Sequence, residues 1–134
     1  MALIDNIVNA VRAKGTPGIA GIWLDEHALV SISDRDGIIT YVNSKFCETS
    51  GYTQEELLGQ DHRIIKSGLH EPEFYADMLS TIYSGKTWTG ELANRAKDGH
   101  LYWVDSIIAP FMGEDGHTKR YISVRTDITA RKQA

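Results

Sequence analysis

The sequence predicts an α+β domain: a five-stranded antiparallel sheet with short helices and one longer helix over one face, preceded by an N-terminal flanking helix. Three observations carry that prediction. Leu29–Ser33 and Ile38–Asn43 are short alternating runs separated by Asp34-Arg35-Asp36-Gly37, a hairpin turn with glycine where the backbone must bend. Trp88–Asn94 and Leu101–Pro110 form a second such pair, joined by Lys97-Asp98-Gly99-His100. Between the pairs lie only short helical stretches and one longer amphipathic run. So few helices cover one face of a five-stranded sheet, and they leave a hollow between themselves and the sheet. Hollows of that kind are ligand sites.

The elements follow in order. Leu3, Ile4, Ile7, Val8 and Val11 stand at helical spacing, and Thr16-Pro17-Gly18 ends that helix. Its narrow apolar stripe needs a partner, either the domain behind it or a second copy, so a homodimer through this helix is expected. The first hairpin leads into a helix that starts at Ser44, holds Phe46 and Cys47, and stops at Ser50-Gly51. Thr53-x-x-Glu56 is a capping box for a one-turn helix ending at Leu57-Leu58-Gly59. Asp61–Lys66 makes another single turn, broken by Ser67-Gly68. Pro72 opens the long helix, whose apolar face is Phe74, Met78, Leu79 and Ile82, and Gly85 closes it. The second strand pair, the turn Gly113-Glu114-Asp115-Gly116 and a fifth strand at Tyr121–Ile128 complete the sheet. The division is a flanking segment 1–27, a domain 28–129 and the start of a connector at 130–134.

With 134 residues, 42% hydrophobic and 24% charged, the chain suits one domain with one core. A net charge of −4 leaves no basic surplus for a nucleic acid. No apolar run approaches the ~20 residues of a membrane span, and the charged N-terminus does not read as a secretion signal. One cysteine, Cys47, excludes an internal disulfide and a Cys-based zinc site and suits a reducing, cytoplasmic setting.

One residue conflicts with a plain core. Asn94 shares a strand face with Trp88, Gly90 and Leu92. A buried amide left unpaired costs roughly 1–3 kcal/mol. Either Asn94 faces a water-filled gap, or it reads the polar edge of something held in the fold.

Several motifs, taken together and in this order, resemble the PAS domain family over about Ala28–Thr129. They are Asp34-Arg35-Asp36-Gly37 with Ile39-x-Tyr41-Val42-Asn43; Phe46; Ser50-Gly51-Tyr52-Thr53-x-x-Glu56-Leu57-Leu58-Gly59; Arg95-x-Lys97-Asp98-Gly99; and Asp127-Ile128-Thr129. The resemblance implies the fold deduced above and a sensory role, with a histidine kinase, chemoreceptor or cyclic-dinucleotide enzyme as downstream effector. Trp88-Thr89-Gly90, Asn94-Arg95, His100–Val104 and Ser123-Val124-Arg125-Thr126 are similar to the FAD-binding PAS domains of aerotaxis receptors and nitrogen-fixation redox regulators. That likeness implies non-covalent FAD, with FMN as the other possible flavin. By the same likeness Asn94 meets the flavin's pyrimidine edge, Trp88 lies beside the ring, His62 and Arg63 border the pocket, and Arg125 and Ser106 sense the reactive edge.

Two positions depart from the pattern. Light-sensing relatives carry a reactive cysteine in the segment written here Gly59-Gln60-Asp61-His62-Arg63; this chain has His62, so no covalent photocycle is expected. Leu79 stands where the FAD-binding group often has tryptophan, and is expected to line the pocket.

Plainer readings stand beside these. Trp88 can be packing alone, and His62 a surface residue. Arg125 points either outward to an acid or partner domain, or inward, where its charge stabilises a reduced, anionic flavin. His70 invites a haem reading, and a cofactor-free dimerisation module is the other alternative. His27, His100 and His117 lack metal-ligand spacing. No catalytic arrangement is legible, so an enzyme is not expected and activity is assigned to an effector domain.

Overall fold

The computed structural model describes residues 27–133. The helix expected at residues 3–14, and the dimer contact assigned to it, lie outside them. The described elements are β1 (Leu29–Asp34), β2 (Ile39–Val42), α1 (Ser44–Ser50), α2 (Gln54–Leu57), a 3-10 turn (His62–Ile65), α3 (Pro72–Tyr83), β3 (Trp88–Arg95), β4 (Leu101–Met112), β5 (Thr118–Asp127) and α4 (Thr129–Gln133). The strands form one antiparallel sheet in the order β2-β1-β5-β4-β3. The first and last strands of the chain are therefore neighbours, with Val30 opposite Val124 and Ser31 opposite Ser123.

Local chemistry sets most boundaries. Gly37 takes φ 86°, and Asp34 Oδ1 accepts from the backbone N–H groups of Asp36 and Ile38, which closes the first hairpin. Asn43 caps α1: its Oδ1 accepts from Phe46 N and Val30 N, each at 3.0 Å, while its Nδ2 donates to Ala28 O at 2.8 Å. One amide thus ties the start of α1 to β1. The Thr53–Glu56 capping box forms as the spacing predicts. β4 runs on to Met112 and β5 begins at Thr118, both beyond the ends read from sequence. Gly113 N donating to His117 O at 2.8 Å extends that ladder across the turn.

The core lies between one sheet face and the helices, built on Phe46, Leu57, Ile65, Met78, Ile82, Leu92, Tyr102 and Val104. The opposite sheet face carries a second apolar cluster, Ala28, Val30, Ile122 and Val124. The segment 61–66 crosses the first face from edge to edge. It bridges Ile38 beside β2 through Asp61 and Asn94 in β3 through Lys66. Its far end is pinned by the Arg95 guanidinium, which donates to Ser67 O at 3.0 and 3.3 Å and to Gly99 O at 2.7 Å. This strap holds the helices off the sheet and keeps a cavity open. No helix among the described residues is long and apolar enough to cross a membrane.

Candidate functional site

A cavity of about 390 Å³ lies between the strap, α3 and the sheet. β1 and β5 build one wall from residues two apart: Ser31 and Ser33 on β1, and Tyr121, Ser123 and Arg125 on β5. β3 adds Leu92 and Asn94; the strap adds His62 and Ile65; α3 adds Tyr75, Met78, Leu79 and Ile82.

Arg125 points inward and is 4% exposed. Its Nε and Nη1 have no hydrogen-bond partner. None of the described carboxylates forms an ion pair with it. Burial pushes its pKa down to about 10, so the guanidinium is still charged at neutral pH. Asn94 is 2% exposed, and its Nδ2 is equally unpaired. So are the Tyr75 hydroxyl and Ser123 Oγ on the same walls. Buried polar groups are nearly always hydrogen-bonded, to protein or to water, and this cluster of orphans faces one cavity.

His62 Nε2 and Ser31 Oγ lie 2.9 Å apart. Burial, and then the charge of Arg125, push the imidazole down to about 3, so it is neutral at pH 7. The ring also meets Phe46 edge-on at 6.1 Å.

The expected site residues divide three ways. Asn94, His62 and Arg125 come together in the cavity wall, and the inward position of Arg125 resolves the alternative left open by the sequence. Leu79 and Arg63 stand at its mouth: Leu79 is 40% exposed, and Arg63 turns outward onto Asp61 at 3.1 Å. Trp88 and Ser106 do not line the cavity, although Ser106 stands opposite Arg125 in the β4–β5 register. The Trp88 indole folds back over its own strand, where a Cβ on Gly90 would come within 2.7 Å of the ring, and meets Phe74 edge-on. Ser106 is fully buried on β4, with an unpartnered Oγ. Tyr102, opposite Asn94 in the β3–β4 register and so on the same sheet face, is buried; that burial pushes its pKa up to about 12, against the smaller pull of Arg125 and the Asn94 side chain.

His70 is engaged elsewhere. Its Nε2 accepts from Ala93 N at 2.9 Å and its ring stacks on Phe74 at 4.3 Å. It is not on the cavity wall. No group of His, Cys, Asp and Glu among the described residues could hold a metal ion. Burial raises the Cys47 thiol pKa, as suits an inert packing residue.

Ser31, Ser123 and Tyr75 were not picked out from the sequence. The signal was present for two of them: Ser31-x-Ser33 and Ser123-x-Arg125 place polar residues at period two within otherwise apolar strands.

A strapped cavity beside a five-stranded sheet, with unpaired donors in its wall, puts the chain in the cavity-bearing α+β class. The sequence profile described as PAS domain matches residues 26–130, and the chain belongs to that family. It is 33% identical over 132 residues to the nitrogen fixation regulatory protein of Klebsiella pneumoniae, covering 95% of this chain and 27% of that protein. It is 37% identical over 105 residues to the aerotaxis receptor of Escherichia coli (strain K12), covering 78% of this chain and 21% of that one. The chain thus spans about a quarter of the length of these relatives. Among solved structures, the PAS domain of a Colwellia psychrerythraea protein superposes with a TM-score of 0.67 at 27% identity, over 92% of this chain and 99% of that one. An RNA-binding light-oxygen-voltage receptor shares the fold with a TM-score of 0.74 at 24% identity, over 90% of this chain and 35% of that one.

Proposed function

We propose that this PAS domain holds a flavin, FAD, without a covalent bond and reports redox state or oxygen to an effector domain of a larger cytoplasmic signalling protein. The observation that carries the reading is the set of orphaned polar atoms around one cavity: Asn94 Nδ2, Arg125 Nε and Nη1, Ser123 Oγ and the Tyr75 hydroxyl. They fit a planar group with a polar rim, and Leu92, Ile65 and Met78 supply apolar wall for its faces. Similarity to the nitrogen fixation regulatory protein and the aerotaxis receptor supports the same reading.

A bound flavin supplies reversible electron transfer; the domain supplies binding and electrostatics. Asn94 offers a donor and an acceptor to the occupant's rim. Arg125, with no counter-charge, favours negative charge on the occupant. His62, neutral, passes a change in the cavity to Ser31 on β1, which pairs with both β2 and β5. β5 runs out through Asp127 to Thr129, whose Oγ1 accepts from Trp103 N at 2.9 Å, so the sheet is tied to the first turn of the connector. A shift of about 1–3 kcal/mol between two arrangements is enough for signalling. The two copies of a homodimer would pair through the N-terminal helix.

Absorption spectroscopy tests the reading. The purified protein should show bands near about 450 and 370 nm that dithionite bleaches, as flavins do. Protein that is colourless and stays so after incubation with FAD overturns the proposal, and leaves a cofactor-free interaction module in its place.

A further inference from the structure

β3 is an outermost strand of the sheet, so its outer side presents backbone groups to no neighbouring strand. His70, in the loop between the strap and α3, covers part of that edge: its Nε2 accepts from Ala93 N at 2.9 Å. Nε2 therefore carries the lone pair and Nδ1 the proton. On the side of the helices the ring stacks on Phe74 at 4.3 Å and meets Tyr75, a residue of the cavity wall, at 5.9 Å. It also meets Trp103 edge-on at 5.7 Å. Tyr102 and Val104 belong to the core, so Trp103 between them points to the opposite sheet face. His70 thus joins the two faces around the β3 edge. Trp103 in turn holds the connector. Its backbone N donates to Thr129 Oγ1 at 2.9 Å, and Lys132 Nζ stands 4.8 Å from the centre of its ring. Glu91, two residues before Ala93, holds Lys132 Nζ at 2.7 Å and pairs with Arg131.

We propose that His70 is a proton-sensitive latch between the cavity wall and the connector, closed while its imidazole is neutral and open when it is protonated. An imidazolium has no lone pair to offer Ala93, and its second N–H would face the donor it now accepts from. It would also bring positive charge towards Lys132 across the Trp103 indole. The charged groups on the surrounding elements are mostly engaged. Glu91 on β3 is taken by Arg131 and Lys132, Arg95 by Ser67 O and Gly99 O, and Lys66 on the strap lies over the Tyr75 ring at 4.3 Å. Glu71 and Glu73 stand at the start of α3, and Asp105 shares the face of β4 that carries Trp103. Burial lowers the His70 pKa, with no opposing contribution from these carboxylates. A free imidazole titrates near 6.5 and the latched one lower, so acid favours the open form across the interval between them. The latch does not depend on which group fills the cavity.

The test is amide exchange of the wild-type chain from about pH 7.5 to about pH 5, corrected for the intrinsic pH dependence of exchange. The two reporters are the Ala93 amide, held by His70, and the Lys132 amide, held by Ile128 O at 3.1 Å in the connector. Their protection should fall together as pH falls, by up to about tenfold per pH unit, the slope for uptake of one proton. His70→Gln offers a carbonyl oxygen that does not titrate, and should keep both amides protected throughout. A flat profile at Ala93 in the wild type, or a fall at Ala93 that Lys132 does not follow, overturns the latch. So does an unchanged slope in His70→Gln, which would assign the proton to another group. Should the glutamine variant not fold, the His70 ring resonances of the wild type decide: they must titrate over the same interval as the loss of Ala93 protection, and a different interval overturns the proposal.

Discussion

His62 Nε2 sits 2.9 Å from Ser31 Oγ, so the strap that covers the cavity is hydrogen-bonded to the strand beneath it. The imidazole is neutral there: burial and Arg125 oppose its protonation and outweigh a backbone hydrogen bond and the charge of Asp61, which favour it.

This gives a pH dependence. An unfolded histidine titrates near 6.5, whereas folded His62 titrates near 3. Between those values the unfolded chain binds a proton that the folded chain excludes, so stability falls as pH falls through that window. His70, also lowered by burial, acts in the same direction. Urea unfolding from pH 7 to pH 4 should show the decline, and His62→Gln should make it shallower. An identical slope in the variant removes His62 as its source.

Arg125→Met should stabilise the flavin-free protein by about 1–3 kcal/mol, because it replaces a buried charge that lacks a partner by an apolar chain of similar length. The same variant should retain less flavin on purification. Denaturant unfolding of the stripped protein measures the first effect; lower stability in the variant would mean that Arg125 is satisfied within the fold.

Asn94→Ala should leave the stripped protein folded, since the lost amide has an unpaired Nδ2. It should weaken flavin binding by about tenfold, the loss of one good buried hydrogen-bonding group. Equilibrium titration with FAD checks this, and undiminished affinity removes Asn94 from the site.

Gly90→Ala should cost about 1–3 kcal/mol, the range for forcing extra volume into a packed place. Its Cβ would stand 2.7 Å from two ring carbons of Trp88, so the indole must move off Phe74. Thermal unfolding with tryptophan fluorescence reports both the destabilisation and the ring movement.

Arg95→Ala should release the far end of the strap, where the guanidinium donates to Ser67 O and Gly99 O. Hydrogen bonds from a charged donor contribute about 1.5–3 kcal/mol each when formed, less at an exposed site such as this. Amide exchange should quicken at Ile65–Ser67 before it does in the sheet; uniform exchange would show that the strap is held by other contacts.

The residues by themselves determined the order of elements, the hairpin turns, the Thr53–Glu56 capping box and the family, because each depends on neighbours a few positions apart. They also exposed the conflict at Asn94, since an amide on an apolar strand face stands out at period two. The tertiary structure decided which way Arg125 points. Tyr121 to Arg125 are all buried, so β5 is covered on both faces, and the alternation of Ser123 and Arg125 with Ile122 and Val124 does not by itself say which side faces the helices. It also decided that Trp88 lies back over Gly90 rather than in the cavity, and that His62 meets Ser31, 31 positions earlier. Those contacts join segments far apart in the chain, and they exist because the strap crosses the sheet from one edge to the other.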